Sequence, residues 1–503
     1  MRLGFAVLVL TAAVVGPATV RAQALGPRTP EPPPQAPLPA PLPPAPVPAP
    51  PPPPDAMRFG GTVRYIVEAV EVHGNRKTDP AVILREVGLG RGDVLTANDP
   101  RVPAAELRLM SLGYFRGVSL SLKPLDRRRQ TVALIVNVEE RGTVILNALY
   151  LGTSEATLLW GGMDVSETNF LGRGMMIGGG VVGSTTPTVP EAESGRALTL
   201  RAAGPRRRDG LLLAGSFLYC EGSEFFQAFG PDDVDPTKWR ALNTQRLGGT
   251  LTVGGELSRT ARFSTDGRFE VINARLPSIR TRDLGGAQAR PIDFMIQQGS
   301  SRLASLSATL DFDTRSDPVL PSRGRRLVVS IEAALPVLGS SYSYAKGVAQ
   351  GSFYFPGFRQ HVIGFHAFSG AILGNAPYFD RFFVGDLNFL LPPRALGLNF
   401  ATLPSRNFLQ TNVASRRYES FAARALGEYA IPLWRGRGFV YRGDAFAAFG
   451  IFGLASLDDL RMRDTDLGFA MPIDLTADLG LRLDTYIGIF TISIANGLGR
   501  IPF

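Results

Sequence analysis

From Thr143 to the C-terminus the chain alternates between apolar and polar positions. In Ser305–Asp313, Leu306, Ala308, Leu310 and Phe312 fall on one face, and Ser305, Ser307, Thr309, Asp311 and Asp313 on the other. The same period sets Leu251, Val253 and Leu257 against Thr252, Glu256 and Ser258. It also sets Leu327, Val329 and Ile331 against Arg326, Ser330 and Glu332, and Leu479, Leu481 and Leu483 against Arg482 and Asp484. Alternation over about ten residues, bounded by Gly, Pro and Asp clusters, predicts β-strands. One face stays aliphatic or aromatic while the other carries charge and small polar groups. In a bilayer every backbone N–H and C=O must be paired inside the protein, so strands cross only as a closed barrel. The pattern therefore predicts a mainly β fold, with a transmembrane antiparallel barrel over 143–503. Roughly fourteen to seventeen segments qualify, and about 16 strands is the even number that fits.

Residues 61–142 follow another rhythm. Val63–Val72 reads as a strand ending in the turn His73-Gly74-Asn75. A helix starts after Thr78-Asp79-Pro80, with Thr or Asp as N-cap and Pro at an early position. A second runs from about Val102 to Leu112 and is stopped by Gly113. Two strands close the unit: Val118–Leu122, strictly alternating, and Thr131–Val138, joined by the charged turn Asp126–Arg129. The predicted order is βααββ, a three-stranded sheet under two helices, with Tyr114 and Phe115 as core aromatics. Such a sheet leaves an edge that can accept an extended peptide by β-augmentation.

Ahead of this unit, Arg2, an apolar stretch from Leu3 to about Val15 and the small-residue region around Val20-Arg21-Ala22 read as a secretory signal over 1–22. Residues 23–60 are dominated by Pro and Ala, a composition that favours extended polyproline II and a spacer role.

Composition removes several classes. After the leader there is no run of the roughly 18 apolar residues a membrane-crossing helix requires. One cysteine, Cys220, and three histidines, His73, His361 and His366, leave little material for metal or thiol chemistry, and no nucleophile–base set is visible. No catalytic, cofactor or metal site is expected. The net charge of +9 is nearly all arginine, dispersed without a basic stripe, so nucleic acid is not an expected partner.

The 61–142 cues, Gly74-Asn75, Gly92-Asp93, Leu112-Gly113-Tyr114-Phe115 and Val138-Glu139-Glu140, resemble in order those of a POTRA domain. Ser166-Glu167-Thr168-Asn169-Phe170-Leu171-Gly172-Arg173-Gly174 is similar to the early-strand element of the BamA/TamA family of outer-membrane assembly factors, and Asp313-Thr314-Arg315 with Pro318, Pro321 and Gly324 to its mid-barrel turn. Arg381–Gly385 and Pro393–Gly397 stand where that family has a long loop folded into the lumen. Glu428–Leu433, Asp444–Phe446 and the segment from Gly480 to Phe503 resemble its last strands.

The resemblance implies a protein that inserts other β-barrels into the Gram-negative outer membrane. Its partners would be unfolded outer-membrane proteins or another polypeptide, membrane lipid, and periplasmic or lipoprotein accessory subunits. A seam between the first strand, near Leu146 and Leu149, and the last, near Ile492 and Ile494, would open to the incoming strand. The family loop presents Arg-Gly-aromatic at its tip; here Arg394 precedes Ala395 and Leu396, and the glycine is Gly397. Arg394 is expected to enter the lumen and pair with Asp311, Asp313 or Glu428. The alternative is a polypeptide exporter of the two-partner secretion kind.

Overall fold

The computed structural model describes residues 64–485 and 488–495, apart from 97, 127–129, 206–209, 228–234, 259, 284–288, 317–319, 384–395, 401–417, 437–438 and 458–472. The expected leader and spacer precede the described residues.

The small unit contains β1 (Arg64–His73), α1 (Pro80–Val87), β2 (Val94–Thr96), α2 (Arg101–Ser111), β3 (Phe115–Asp126) and β4 (Thr131–Glu140). Its sheet runs β2-β1-β4-β3, with β1 parallel to β4 and the other pairs antiparallel. The expected three-stranded sheet is thus corrected to four. Val94-Leu95-Thr96 is too short to show an alternation of its own, and it takes the edge beside β1 through pairs such as Tyr65 with Leu95. Helix α1 starts as expected: the Asp79 side chain accepts the Ala81 N–H at 2.8 Å and Pro80 occupies the first turn. Val67, Leu95, Leu134 and Val136 of the sheet pack on Ile83, Val87 and Leu109 of the helices, with Tyr114 and Phe115 in the same core. Gly113 follows α2 at φ +74°, and Gly74 adopts φ +88° at the end of β1. A side chain at Gly74 would strike the Val138 carbonyl oxygen at 2.0 Å.

The second unit opens with β5 (Val144–Gly152), β6 (Trp160–Phe170), β7 (Met175–Ser184), β8 (Arg196–Ala203) and β9 (Leu212–Phe226). It continues with β10 (Arg240–Glu256), β11 (Ala261–Arg275), the short β12 (Thr281–Asp283) and β13 (Ala289–Pro291), β14 (Gly299–Asp313), β15 (Gly324–Ala334) and β16 (Ser343–Pro356). The last are β17 (Val362–Asn375), β18 (Phe421–Arg435), β19 (Val440–Ala455), β20 (Ile473–Thr485) and β21 (Gly488–Ala495). β12 and β13 form a separate hairpin, and the others build one 15-stranded sheet in chain order. Its end strands, β5 and β21, approach each other, so the sheet curls into a barrel. All its pairs are antiparallel. The expected strand count of about 16 compares with fifteen in this sheet among the described residues.

The alternation read from the sequence sorts the two faces. Leu251 is 74% exposed on the outside of β10, whereas Arg246 of the same strand is 6% exposed inside. Leu306, Leu310, Val329, Ile331 and Leu479 likewise face outward, giving the apolar exterior that acyl chains require. No helix among the described residues is long and apolar enough to cross a membrane.

Candidate functional site: junction, lumen and seam

Where the small unit meets the barrel, two of the sequence motifs come together. The turn between β6 and β7 carries Asn169–Gly174, and the loop between β1 and α1 lies on it. The Asn169 amide donates to Thr78 Oγ1 at 2.9 Å, both side chains being buried, and the Asp79 N–H donates to the Gly172 carbonyl at 2.9 Å. Gly172 sits at φ +71°, and a Cβ there would lie 1.9 Å from the Lys77 carbonyl oxygen. The loop is itself held from behind. Asn75 donates to the Thr78 carbonyl at 3.0 Å, and the Glu140 carboxylate accepts the Thr78 N–H at 2.7 Å and the Lys77 N–H at 3.1 Å. Burial works against ionisation of Glu140, but the donors from Thr78 and Lys77 outweigh it and hold the carboxyl below its ordinary range. Elsewhere in the unit, hydrogen bonds from the Arg101 side chain and backbone draw Asp99 down to about 2.

Inside the barrel, five strands converge on one loop. After β17 the chain turns through Tyr378–Asp380, and Arg268 of β11 grips the Asp380 carboxylate at 3.0 and 3.2 Å. Arg268 also donates to Glu270 at 2.6 Å, and Glu270 accepts two further bonds from Arg246 of β10, at 3.0 and 2.8 Å. From β16, Tyr344 hydroxyl reaches Asp380 and Glu332, each at 3.0 Å, and Lys346 donates to the Asp380 carbonyl at 2.7 Å. Ser305 of β14 donates to Glu332 of β15 at 2.7 Å. Arg246, Arg268 and Lys346 thus balance Glu270, Glu332 and Asp380. The Phe379 ring lies 3.7 Å from the Arg246 guanidinium carbon, adding a cation–π contact to the cage.

The far arm of the same loop returns through the lumen. Leu396, Leu398 and Phe400 pack against Trp160, Val182, Ala197 and Cys220, with the Phe400 and Trp160 rings stacked at 5.0 Å. Asn399 donates to Glu224 at 3.0 Å. Gly397 lies at φ +93°, where a Cβ would come 3.6 Å from Arg246 Nη1 and Cys220 Sγ. Phe382 and Glu419 pair across the two arms, through N–H to carbonyl bonds of 3.0 and 2.7 Å. Residues 396–400 thus pack on the inner face of the barrel wall. Arg394 falls outside the described residues. Its three expected partners each hold another arginine: Asp311 with Arg326 at 2.9 and 2.8 Å, Asp313 with Arg315 at 2.9 and 2.7 Å, and Glu428 with Arg482 at 2.9 and 2.8 Å.

The cage residues were missed by sequence reasoning. Their signal was present as charges at inward positions of consecutive strands, Arg246, Arg268 with Glu270, Glu332 and Lys346, but no pattern in the chain points them at Asp380. Among the described residues no group of three or more His, Cys, Asp or Glu side chains is placed to hold a metal.

At the seam, β5 and β21 lie side by side at the ends of the sheet without a ladder between them among the described residues. Leu146 and Leu149 sit on β5 opposite Val165 and Met163, and Ile492 and Ile494 on β21 opposite Leu481 and Leu479.

An Omp85 superfamily domain model matches residues 169–391, and a POTRA model described as a surface antigen variable number repeat matches residues 65–141. The outer membrane protein assembly factor BamA of Nitratidesulfovibrio vulgaris is 25% identical over 330 residues, which cover 64% of this chain and 37% of that protein. The chain thus matches little more than a third of that relative's length. Among solved structures, CdiB from Escherichia coli aligns with a TM-score of 0.54 at 14% identity, over 86% of this chain and 72% of that one. BamA from Haemophilus ducreyi lacking POTRA domains 1–3 aligns with a TM-score of 0.48 at 16% identity, over 86% and 81%.

Proposed function

For this chain, an Omp85-superfamily outer-membrane β-barrel protein fronted by a POTRA domain, we propose the insertion of other β-barrel proteins through the seam between β5 and β21. The observation that carries the proposal is that no ladder joins those two strands among the described residues. Each edge presents N–H and C=O groups with no regular partner, and in lipid such groups are strongly driven to pair. An incoming strand that hydrogen-bonds there enters the bilayer with its backbone already satisfied. The POTRA sheet supports delivery: β2 and β3 are its edges, either of which can add an extended peptide. No covalent bond changes in this scheme.

The proposed setting is the Gram-negative outer membrane, with the POTRA unit and the proline-rich 23–60 in the periplasm after removal of 1–22. The barrel then spans 143–503, and unfolded outer-membrane proteins, with periplasmic or lipoprotein subunits, are the partners. Arg394 remains part of the reading: it would join one of the existing arginine–carboxylate pairs and fix the loop tip. Arg394→Ala then raises pore conductance, and unchanged conductance removes that role.

Export through the lumen is the second reading, for which the CdiB-like fold is the relevant observation. It requires the caged loop to leave the pore. Photocrosslinkers at Leu149 and at inward positions of β11 separate the two. Barrel precursors trapped at Leu149 support insertion, and an unfolded polypeptide trapped in the lumen supports export.

A further inference from the structure

The strand exposed at the seam is irregular at one residue. Val144, Ile145 and Leu146 stand opposite Glu167, Ser166 and Val165, and Ala148 to Gly152 stand opposite Asp164 to Trp160, so Asn147 has no partner of its own. It is an inserted residue. Without it β5 alternates cleanly, with Val144, Leu146, Leu149 and Leu151 on the outer face and Ile145, Ala148 and Tyr150 on the inner. Asn147 and Ala148 are both buried.

The insertion is fastened from inside the barrel. The Asn147 amide donates to the Asp164 carboxylate, and its carbonyl oxygen accepts the Ser166 hydroxyl at 2.9 Å. Asp164 in turn takes Arg201 of β8, with one bond at 2.9 Å. Asn147, Asp164 and Ser166 are each 3% exposed or less. A bulge whose side chain is engaged at both ends is held in place, because moving it would strand buried polar groups.

A bulge also breaks the free edge. N–H and C=O groups alternate between the two edges of a strand, so one extra residue shifts their phase beyond it. A regular neighbour can follow β5 on one side of Asn147 but not through it. Ala148–Gly152 is the longer side. We propose that Asn147 is a register stop: a strand pairing with the seam edge, whether β21 or an incoming substrate strand, bonds along Ala148–Gly152 and ends at Asn147. The seam then stays short enough to release what it has gathered. The part concerning substrate rests on the insertion reading above; the stop itself does not.

The test uses the full chain in liposomes with Cys220, the single native cysteine, replaced by alanine. Leu146→Cys and Leu149→Cys are each combined with Phe490→Cys, Ile492→Cys or Ile494→Cys and oxidised. The best pair with Leu149→Cys should form a disulfide about tenfold faster than any pair with Leu146→Cys, the scale set by losing one or two backbone hydrogen bonds. Equal rates in the intact chain would overturn the stop, and that comparison needs no altered bulge. Deleting Asn147 should bring the Leu146→Cys rate up to that of Leu149→Cys and slow insertion of a barrel substrate by a similar factor. If the disulfides behave as stated while insertion is unchanged, the stop stands and the insertion reading falls.

Discussion

The wall from β10 to β16 and the seam between β5 and β21 are built from the same alternating sequence, yet they are opposites. In the wall, β10 has 17 residues and β11 and β14 have 15 each, all joined by continuous ladders, with Arg246–Glu270 linking β10 to β11 and Arg268–Asp380 tying β11 to the loop. At the seam, β5 has 9 residues and β21 has 8, and β5 is interrupted at Asn147. Strand length and inward charge, not hydrophobicity, separate the wall from β5: the outer face is apolar in both. The wall is an anchor against which a loop can be held, while β5 and β21 meet without a ladder among the described residues.

Disturbing the anchor should give the largest effect. Asp380→Ala leaves Arg268 with one carboxylate grip fewer inside the barrel, a loss on the scale of about 3–5 kcal/mol for a broken buried pair. The expected result is lowered resistance to heat in gel mobility and a large rise in planar-bilayer conductance as the loop leaves the lumen. Asp380→Asn, which keeps the shape, should fall between. Wild-type conductance in Asp380→Ala would show that the wall does not hold the loop.

The junction sharpens the comparison, since it ties the POTRA unit to β6 and β7 close to the seam. Gly172→Ala places a methyl group against the Lys77 carbonyl at a backbone angle that favours glycine, a strain of about 1–3 kcal/mol. Spin labels on α1 and β7 should report a broader distance distribution, with the barrel itself intact. An unchanged distribution would mean that the contact does not fix the POTRA orientation.

The smallest effect is expected from acid. Glu140 has a carboxyl held below its unfolded value, so the folded state binds fewer protons than the unfolded one in that range. Its contribution is fully present above the unfolded pKa of about 4.3 and is lost as pH falls through the lower folded value. Proteolysis of the 74–79 loop should therefore accelerate below about pH 4, and Glu140→Gln should weaken the loop at neutral pH and flatten that dependence. A pH response identical in Glu140→Gln would assign it to another group.

These regions were unequally legible in the sequence. Outward residues such as Leu306 and Ile331 could be read directly, because alternation depends only on near neighbours. The Asp79 cap and Gly74 turn were legible for the same reason. The cage was not: Arg268 and Asp380 are far apart in the chain, and their meeting depends on strand register and on the path of one loop. The same rule explains Asp311, which found an arginine on the next strand of the sheet, and Glu428, which found one two strands away. β2 was invisible because three residues carry no period. Asn147 was hidden because one inserted residue leaves apolar positions on either side of it looking ordinary.

The most direct measurement of the central claim is a seam locked by a disulfide between Leu149→Cys and its best partner on β21, in the Cys220→Ala chain reconstituted in liposomes. The oxidised protein should fail to assemble an added barrel substrate, and reduction should restore assembly in the same sample. Assembly at an equal rate with the disulfide intact would contradict entry through the seam.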